Sequence, residues 1–103
     1  MIDAFNAVLG YDLFHKKALQ YLHTKRWDDT GKQLISWPGN PYELALDNYA
    51  WGFCAFEDFP VGTLDKASLF RNTQTSSVTD RQVTGYAPDI DKDVVWLEGT
   101  GEM

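Results

Sequence analysis

From Tyr11 to about Arg26 the apolar side chains Phe14, Ala18, Tyr21 and Leu22 return at three- and four-residue steps, with Lys16, Lys17 and Gln20 between them. That period puts one apolar stripe on a helix, and an amphipathic helix is predicted here. Lys25 and Arg26 fall at its end, where cations meet the negative pole of the helix dipole. The period is lost at Trp27. Asp28-Asp29-Thr30-Gly31 is turn chemistry and Leu34-Ile35-Ser36-Trp37 suits a short extended run, so Trp27 to Trp37 reads as a loop or a small hairpin. Pro38-Gly39-Asn40-Pro41 then breaks the chain.

Asn40-Pro41-Tyr42-Glu43 has the cap, first-turn proline and third-position acid of a helix start, and Asp47 suits the same role one turn later. The helix body runs from Tyr49 to about Phe56. It is apolar on nearly every side, as in a helix packed between other elements. Phe59-Pro60-Val61-Gly62 ends it, and Thr63-Leu64-Asp65-Lys66-Ala67 opens a short helix reaching about Phe70. The polar, Thr- and Ser-rich stretch from Asn72 to Gln82 has no apolar period and reads as a long surface loop. Trp96 to Met103 reads as the start of one more helix.

Composition narrows the class. The 103 residues fit one domain, and a 44% hydrophobic fraction with 15% aromatic residues marks a chain that packs. A net charge of −6 repels phosphate backbones, which disfavours nucleic acid as a partner. No apolar run approaches a membrane span, and the N-terminus lacks the basic start and long apolar run of a signal peptide. Cys54 is the single cysteine, so neither an intrachain disulfide nor a cysteine-built zinc site can form. Within Trp51-Gly52-Phe53-Cys54-Ala55-Phe56 it reads as a buried thiol. His15 and His23 are too far apart for helical metal-ligand spacing and read as surface or edge residues. No glycine-rich phosphate loop and no Gly-x-Ser-x-Gly setting occurs.

Two tracts carry a resemblance. Leu46-Asp47-Asn48-Tyr49-Ala50-Trp51-Gly52 has an acid or amide, an Ala-Trp pair and small apolar residues. Gly85 to Thr100 runs through Tyr86-Ala87-Pro88-Asp89-Ile90-Asp91-Lys92-Asp93 and closes on a Trp-x-Glu-Gly-Thr signature. In order and spacing the pair resembles the six-hairpin glycosidase-like superfamily. The resemblance implies an all-α fold of helical hairpins, an incomplete (α/α) toroid with long loops and one short β-hairpin at most. Toroids need about a dozen helices and the pattern supplies roughly three with the start of a fourth, so a fragment forming a single partial domain, residues 1–103, is expected. Exposed apolar surface and self-association follow from that expectation.

The implied activity of the complete parent is glycosidic-bond hydrolysis, with an oligosaccharide or polysaccharide as partner and no turnover by the isolated chain. Such chemistry uses one carboxylic acid and one carboxylate, with aromatic rings stacked on sugar faces. Glu98 and Asp47 are the catalytic candidates, and Trp51, Tyr86 and Trp96 the sugar platforms. Each has a plainer reading: Glu98 as a helix-start residue favoured by the dipole, Trp51 as core. Asp89, Asp91 and Asp93 alternate, so three carboxylates can converge on a hard cation such as calcium. The EF-hand pattern fails, because Val94 and Thr100 stand where it requires Gly and an acid. A solvated acidic turn is the alternative. No other cofactor is indicated. The rival to the hydrolase fragment is a small helical module that binds a ligand or partner without chemistry.

Overall fold

The computed structural model describes residues 1–37 and 43–103. The chain breaker at Pro38–Pro41 and the earlier of the two expected helix starts, at Asn40-Pro41-Tyr42, lie outside the described residues.

Helix α1 spans Ile2–Ala7 and α2 spans Leu13–Tyr21. Gly10, at φ +86°, takes the left-handed turn between them that a side chain would disfavour. Asp12 caps α2: its Oδ1 accepts from the Phe14 N–H at 2.9 Å, while the Asp12 N–H donates to His15 Nδ1 at 3.3 Å. That closes a capping box, and the His15 ring, its Nδ1 3.2 Å from Asp12 Oδ1, is the main cause holding the Asp12 carboxyl below its ordinary pKa. His15 Nε2 donates to the Val8 carbonyl at 2.9 Å. So His15 is no surface residue but is 2% exposed, walled by Phe5, Tyr11 and Phe14. A buried imidazole is tolerated because both nitrogens have partners.

The expected helix reaches Arg26, but its last turn, Leu22–Arg26, widens to a π-helix. Thr24 Oγ1 donates back to the Gln20 carbonyl, a bond that loosens helical turns. Trp27 N–H closes the segment on the Leu22 carbonyl, and the chain turns extended. Strands β1 (Trp27–Asp28) and β2 (Gln33–Leu34) then pair antiparallel, so the loop-or-hairpin segment is a hairpin. Its turn uses an Asp28 Oδ1 bond to the Thr30 N–H and a left-handed Lys32.

Helix α3 (Asp47–Ala55) starts at the later of the two expected positions. It is followed by α4 (Val61–Leu64) and a 3-10 turn, Asp65–Phe70. Strands β3 (Arg71–Thr75) and β4 (Gln82–Tyr86) pair in register Arg71↔Tyr86 to Thr75↔Gln82, and α5 (Leu97–Glu102) closes the order. The supposed surface loop Asn72–Gln82 is thus mostly this second hairpin. Its tip is organised by Ser76, whose Oγ accepts from the Val78 and Thr79 N–H groups. Both faces are largely solvated, so the strands carry no apolar alternation, and β-branched Thr and Val supply the propensity instead.

The all-α toroid expectation is therefore overturned. Helix makes up 46% of the described residues, and two separate two-stranded antiparallel sheets accompany it. The α-helices are four to nine residues long where a toroid needs long paired ones, and among the described residues no sequence of helical hairpins forms.

Two apolar clusters replace one core. Ile2, Leu22, Leu34, Phe56 and Phe59 make the first; Leu46, Tyr49, Ala67 and Phe70 make the second. Helix α3 walls both, which explains why it is apolar almost all round: Trp51 and Ala55 face the first cluster, Tyr49 the second. The split lengthens the molecule to 53 × 29 × 23 Å, with a radius of gyration of 15.4 Å. A single-core chain of this length has about 13 Å. Cys54, on the outer side of α3, is exposed rather than buried. Among the described residues no helix is long and apolar enough to cross a membrane.

Gly52 of α3 is seated against the Phe59 ring, and a Cβ built on it lies 2.8 Å from Cζ. Phe59 is buried and meets Trp27 edge to face at 6.1 Å between ring centres, so relieving the clash means giving up that contact. Gly52→Ala should therefore lower stability by about 1–3 kcal/mol, read as a drop in the urea midpoint. Gly62→Ala, with open space around the new methyl, should not. Equal midpoints for the two variants would contradict this packing.

Candidate functional site

Strand β4 runs into a turn that carries Asp89, Asp91 and Asp93 before the chain re-enters the second lobe at Trp96. Two anchors fix its start: the Ala87 N–H donates to the Phe70 carbonyl at 2.8 Å, and the Leu46 N–H to the Pro88 carbonyl at 3.0 Å. A third fixes its end, where the Trp96 N–H donates to the Tyr86 carbonyl at 2.8 Å. Between them the turn lies on one face of the second hairpin. Asn72 Nδ2 donates to the carbonyls of Lys92 (2.7 Å) and Val94 (3.1 Å), and Lys92 adopts a left-handed φ of 57°.

Held this way, the three carboxylates converge, with one oxygen from each lying within 4.8 Å of the others. Asp91 and Asp93 are exposed and Asp89 is half-buried. Asp89 Oδ1 is fully enclosed and has no hydrogen-bond partner among the described residues. The Asp91 side-chain hydrogen bond, then burial, then the charges of Asp91 and Asp93 push the Asp89 carboxyl above its ordinary pKa. Three acids crowded at one turn are unfavourable together, and two things relieve them: a proton or a cation. The donor set is all oxygen, which suits a hard cation. This is a cluster able to coordinate a metal ion.

The other candidates are dispersed. Asp47 opens α3 half-buried, its carboxyl raised chiefly by desolvation, and the neighbouring acid that bears on it is Asp3 of α1, not Glu98. Glu98 is exposed in the first turn of α5, the place expected of a helix-start residue. Trp51 packs on the first cluster, whereas Tyr86 and Trp96 pack on the second, so the three rings do not line one cleft.

The Trp-x-Glu-Gly-Thr tract has a packing role. Thr100 Oγ1 accepts from the Tyr86 N–H at 2.9 Å and donates to the Trp96 carbonyl at 2.7 Å, tying α5 to β4. Gly99 lies flush on Leu46, where a Cβ would come within 2.8 Å of Cδ2. Those contacts account for the residues that carried the resemblance.

No protein-family model matches the chain, and no curated protein or solved structure matches it. With a mixed fold and no such match, the six-hairpin kinship, the glycoside-hydrolase parent and glycosidic-bond hydrolysis are all withdrawn.

The raised Asp89 pKa fixes a sign. Its neutral form is favoured in the fold, so the stability it contributes is fully present below the ordinary carboxylate value of 3.8 and is lost as pH rises through the raised folded value. In chelator, Asp89→Asn should gain on the native chain across that window and hold its advantage above it. Urea midpoints of both proteins from about pH 3 to about pH 7 measure the difference. A difference independent of pH would mean the acids do not interact.

Proposed function

We propose that the chain is a calcium-binding module whose cation is held by Asp89, Asp91 and Asp93. The observation that carries this reading is the convergence of three carboxylate oxygens within 4.8 Å, one of the acids, Asp89, having its Oδ1 enclosed and without a hydrogen-bond partner among the described residues. Calcium binds oxygens at about 2.3–2.6 Å, so oxygens around one ion stand at most roughly 4.6–5.2 Å apart, a span the three carboxylates stay within. Magnesium, at about 2.0–2.1 Å and with a strict octahedron, asks for a tighter set and keeps its waters. Water completes the calcium shell on the side of the exposed Asp91 and Asp93.

Binding relieves the repulsion that raises Asp89 and fastens the turn to the second hairpin, whose Asn72 already grips it. Three mostly exposed carboxylates and no bidentate glutamate give a weak site, with a dissociation constant on the order of 1 mM. At about 10 mM calcium, linkage then stabilises the fold by about 1.4 kcal/mol, a rise of several degrees in Tm. The rise should exceed that in magnesium at equal ionic strength and should vanish in Asp91→Asn. A Tm that calcium leaves unmoved removes the proposal.

A further inference from the structure

The first lobe holds a pocket of about 450 Å³, on different elements from the acidic turn. Leu19 and Leu22 form one side, at the junction of α2 with its π-turn; Trp27 and Leu34 come from the first hairpin; Phe56 and Phe59 come from the segment after α3. Trp27 meets Phe59 edge to face at 6.1 Å between ring centres, and Phe5 meets Phe56 likewise at 5.1 Å, so the aromatic walls are braced from behind. A concavity of this size with apolar walls and a few polar groups at its mouth is the usual form of a small-molecule site.

The mouth identifies the ligand by charge. Among the described residues three polar side chains line it: His23, Lys32 and Asp58. The Lys32 ammonium is already met by Asp29, Nζ to Oδ1 at 2.6 Å, and that contact is what holds the Asp29 carboxyl below its ordinary pKa. Among the described residues the partner of Asp58 is the His23 imidazole, Nε2 to Oδ2 at 3.3 Å, and neither Lys nor Arg pairs with it. The charge left to compensate at the mouth is therefore negative, on a chain of net charge −6. Electron-rich ring faces add attraction for a cation and none for an anion. We propose that this pocket binds an organic ammonium ion with an apolar body, its cationic end at Asp58 and its body against Trp27, Phe56 and Phe59.

Benzyltrimethylammonium is the probe, with phenylmethanesulfonate as its anionic counterpart, titrated in chelator so that the acidic turn plays no part. Calorimetry should give a dissociation constant on the order of 1 mM for the cation. The Trp27 indole N–H resonance should move with the same constant. The sulfonate should bind at least about fivefold more weakly. Asp58→Asn, a change at an exposed position that leaves the core intact, should weaken the cation about three- to fivefold. Leu19→Trp should occlude the pocket and abolish binding. No binding of the cation, equal binding of the two probes, an unchanged constant in Asp58→Asn, or perturbations that miss Trp27 would each overturn the proposal. Because the calcium site is silent in chelator, either reading can fail without the other.

Discussion

A phenol hydroxyl taken out of water must find a partner, and the position of Tyr49 turns that requirement into the organising constraint of this fold. The side chain is 1% exposed and its burial pushes the phenol pKa up to about 12, so it remains a neutral donor. Its hydroxyl donates to Gln33 Oε1 at 2.9 Å, on the first hairpin, while its ring meets Phe70 edge to face at 5.4 Å in the second cluster. One residue of α3 thus joins the two lobes, and two neighbours repeat the pattern. Asn48 donates to the Ser36 hydroxyl, and Thr63, also buried, donates to the Lys32 carbonyl at 2.7 Å. The first hairpin is only two residue pairs long and would not persist alone; these side-chain bonds from α3 and α4 hold it.

Close backbone approach does the equivalent work in the second lobe. Gly85 of β4 is so near α5 that a Cβ there would lie 3.1 Å from Thr100 Cγ2, and 2.7 Å from Cγ1 of Val95 just before the helix, and Gly99 is equally tight on Leu46. Thr100 then supplies the hydrogen bonds that the short β4–Trp96 bridge leaves unfilled. Residues with little or no side chain at the contact, flanked by a hydroxyl, let a six-residue helix dock on a two-stranded sheet where larger residues would hold it off.

What could be read from the chain follows from which interactions are local. The α2 stripe and the Asp28–Gly31 turn are local signals, and both elements are present. Asp47 marks the start of α3 but sits in its first turn, the cap position being Leu46 with no side-chain bond. The π-widening after Tyr21 is accompanied by a Thr24 back-bond, and no periodicity reveals it. The second hairpin was invisible to an apolar-alternation test because neither of its faces is buried; its Thr-rich composition was the signal available. His15 looked superficial by spacing, since its burial comes from aromatic residues on both sides of the Gly10 turn. The convergence of Asp89, Asp91 and Asp93 was legible, because alternate acids in a tight turn meet wherever the turn goes. The pocket was not: its walls read as ordinary core positions, and only the relative placement of α2, the first hairpin and the Phe56–Phe59 segment separates a filled core from an open one.

That same distinction explains why a sequence tract can suggest a family and still mislead. Trp96, Gly99 and Thr100 are placed by demands any short helix on a small sheet would impose: a flat ring to cover the second cluster, a missing Cβ where Leu46 approaches, a hydroxyl for the unpaired Tyr86 N–H. Each demand restricts residue type strongly, so the tract looks specific. Yet Glu98, the one member that chemistry would require, is the member the packing leaves free in solvent. A motif whose constrained positions are those that pack, and whose reactive position is exposed, testifies to local architecture. In this chain the converse pattern, unfavourably crowded or uncompensated charge beside a shaped surface, occurs at the Asp89–Asp93 turn and at the Asp58 mouth, and those are the places where binding would relieve a cost the fold already bears.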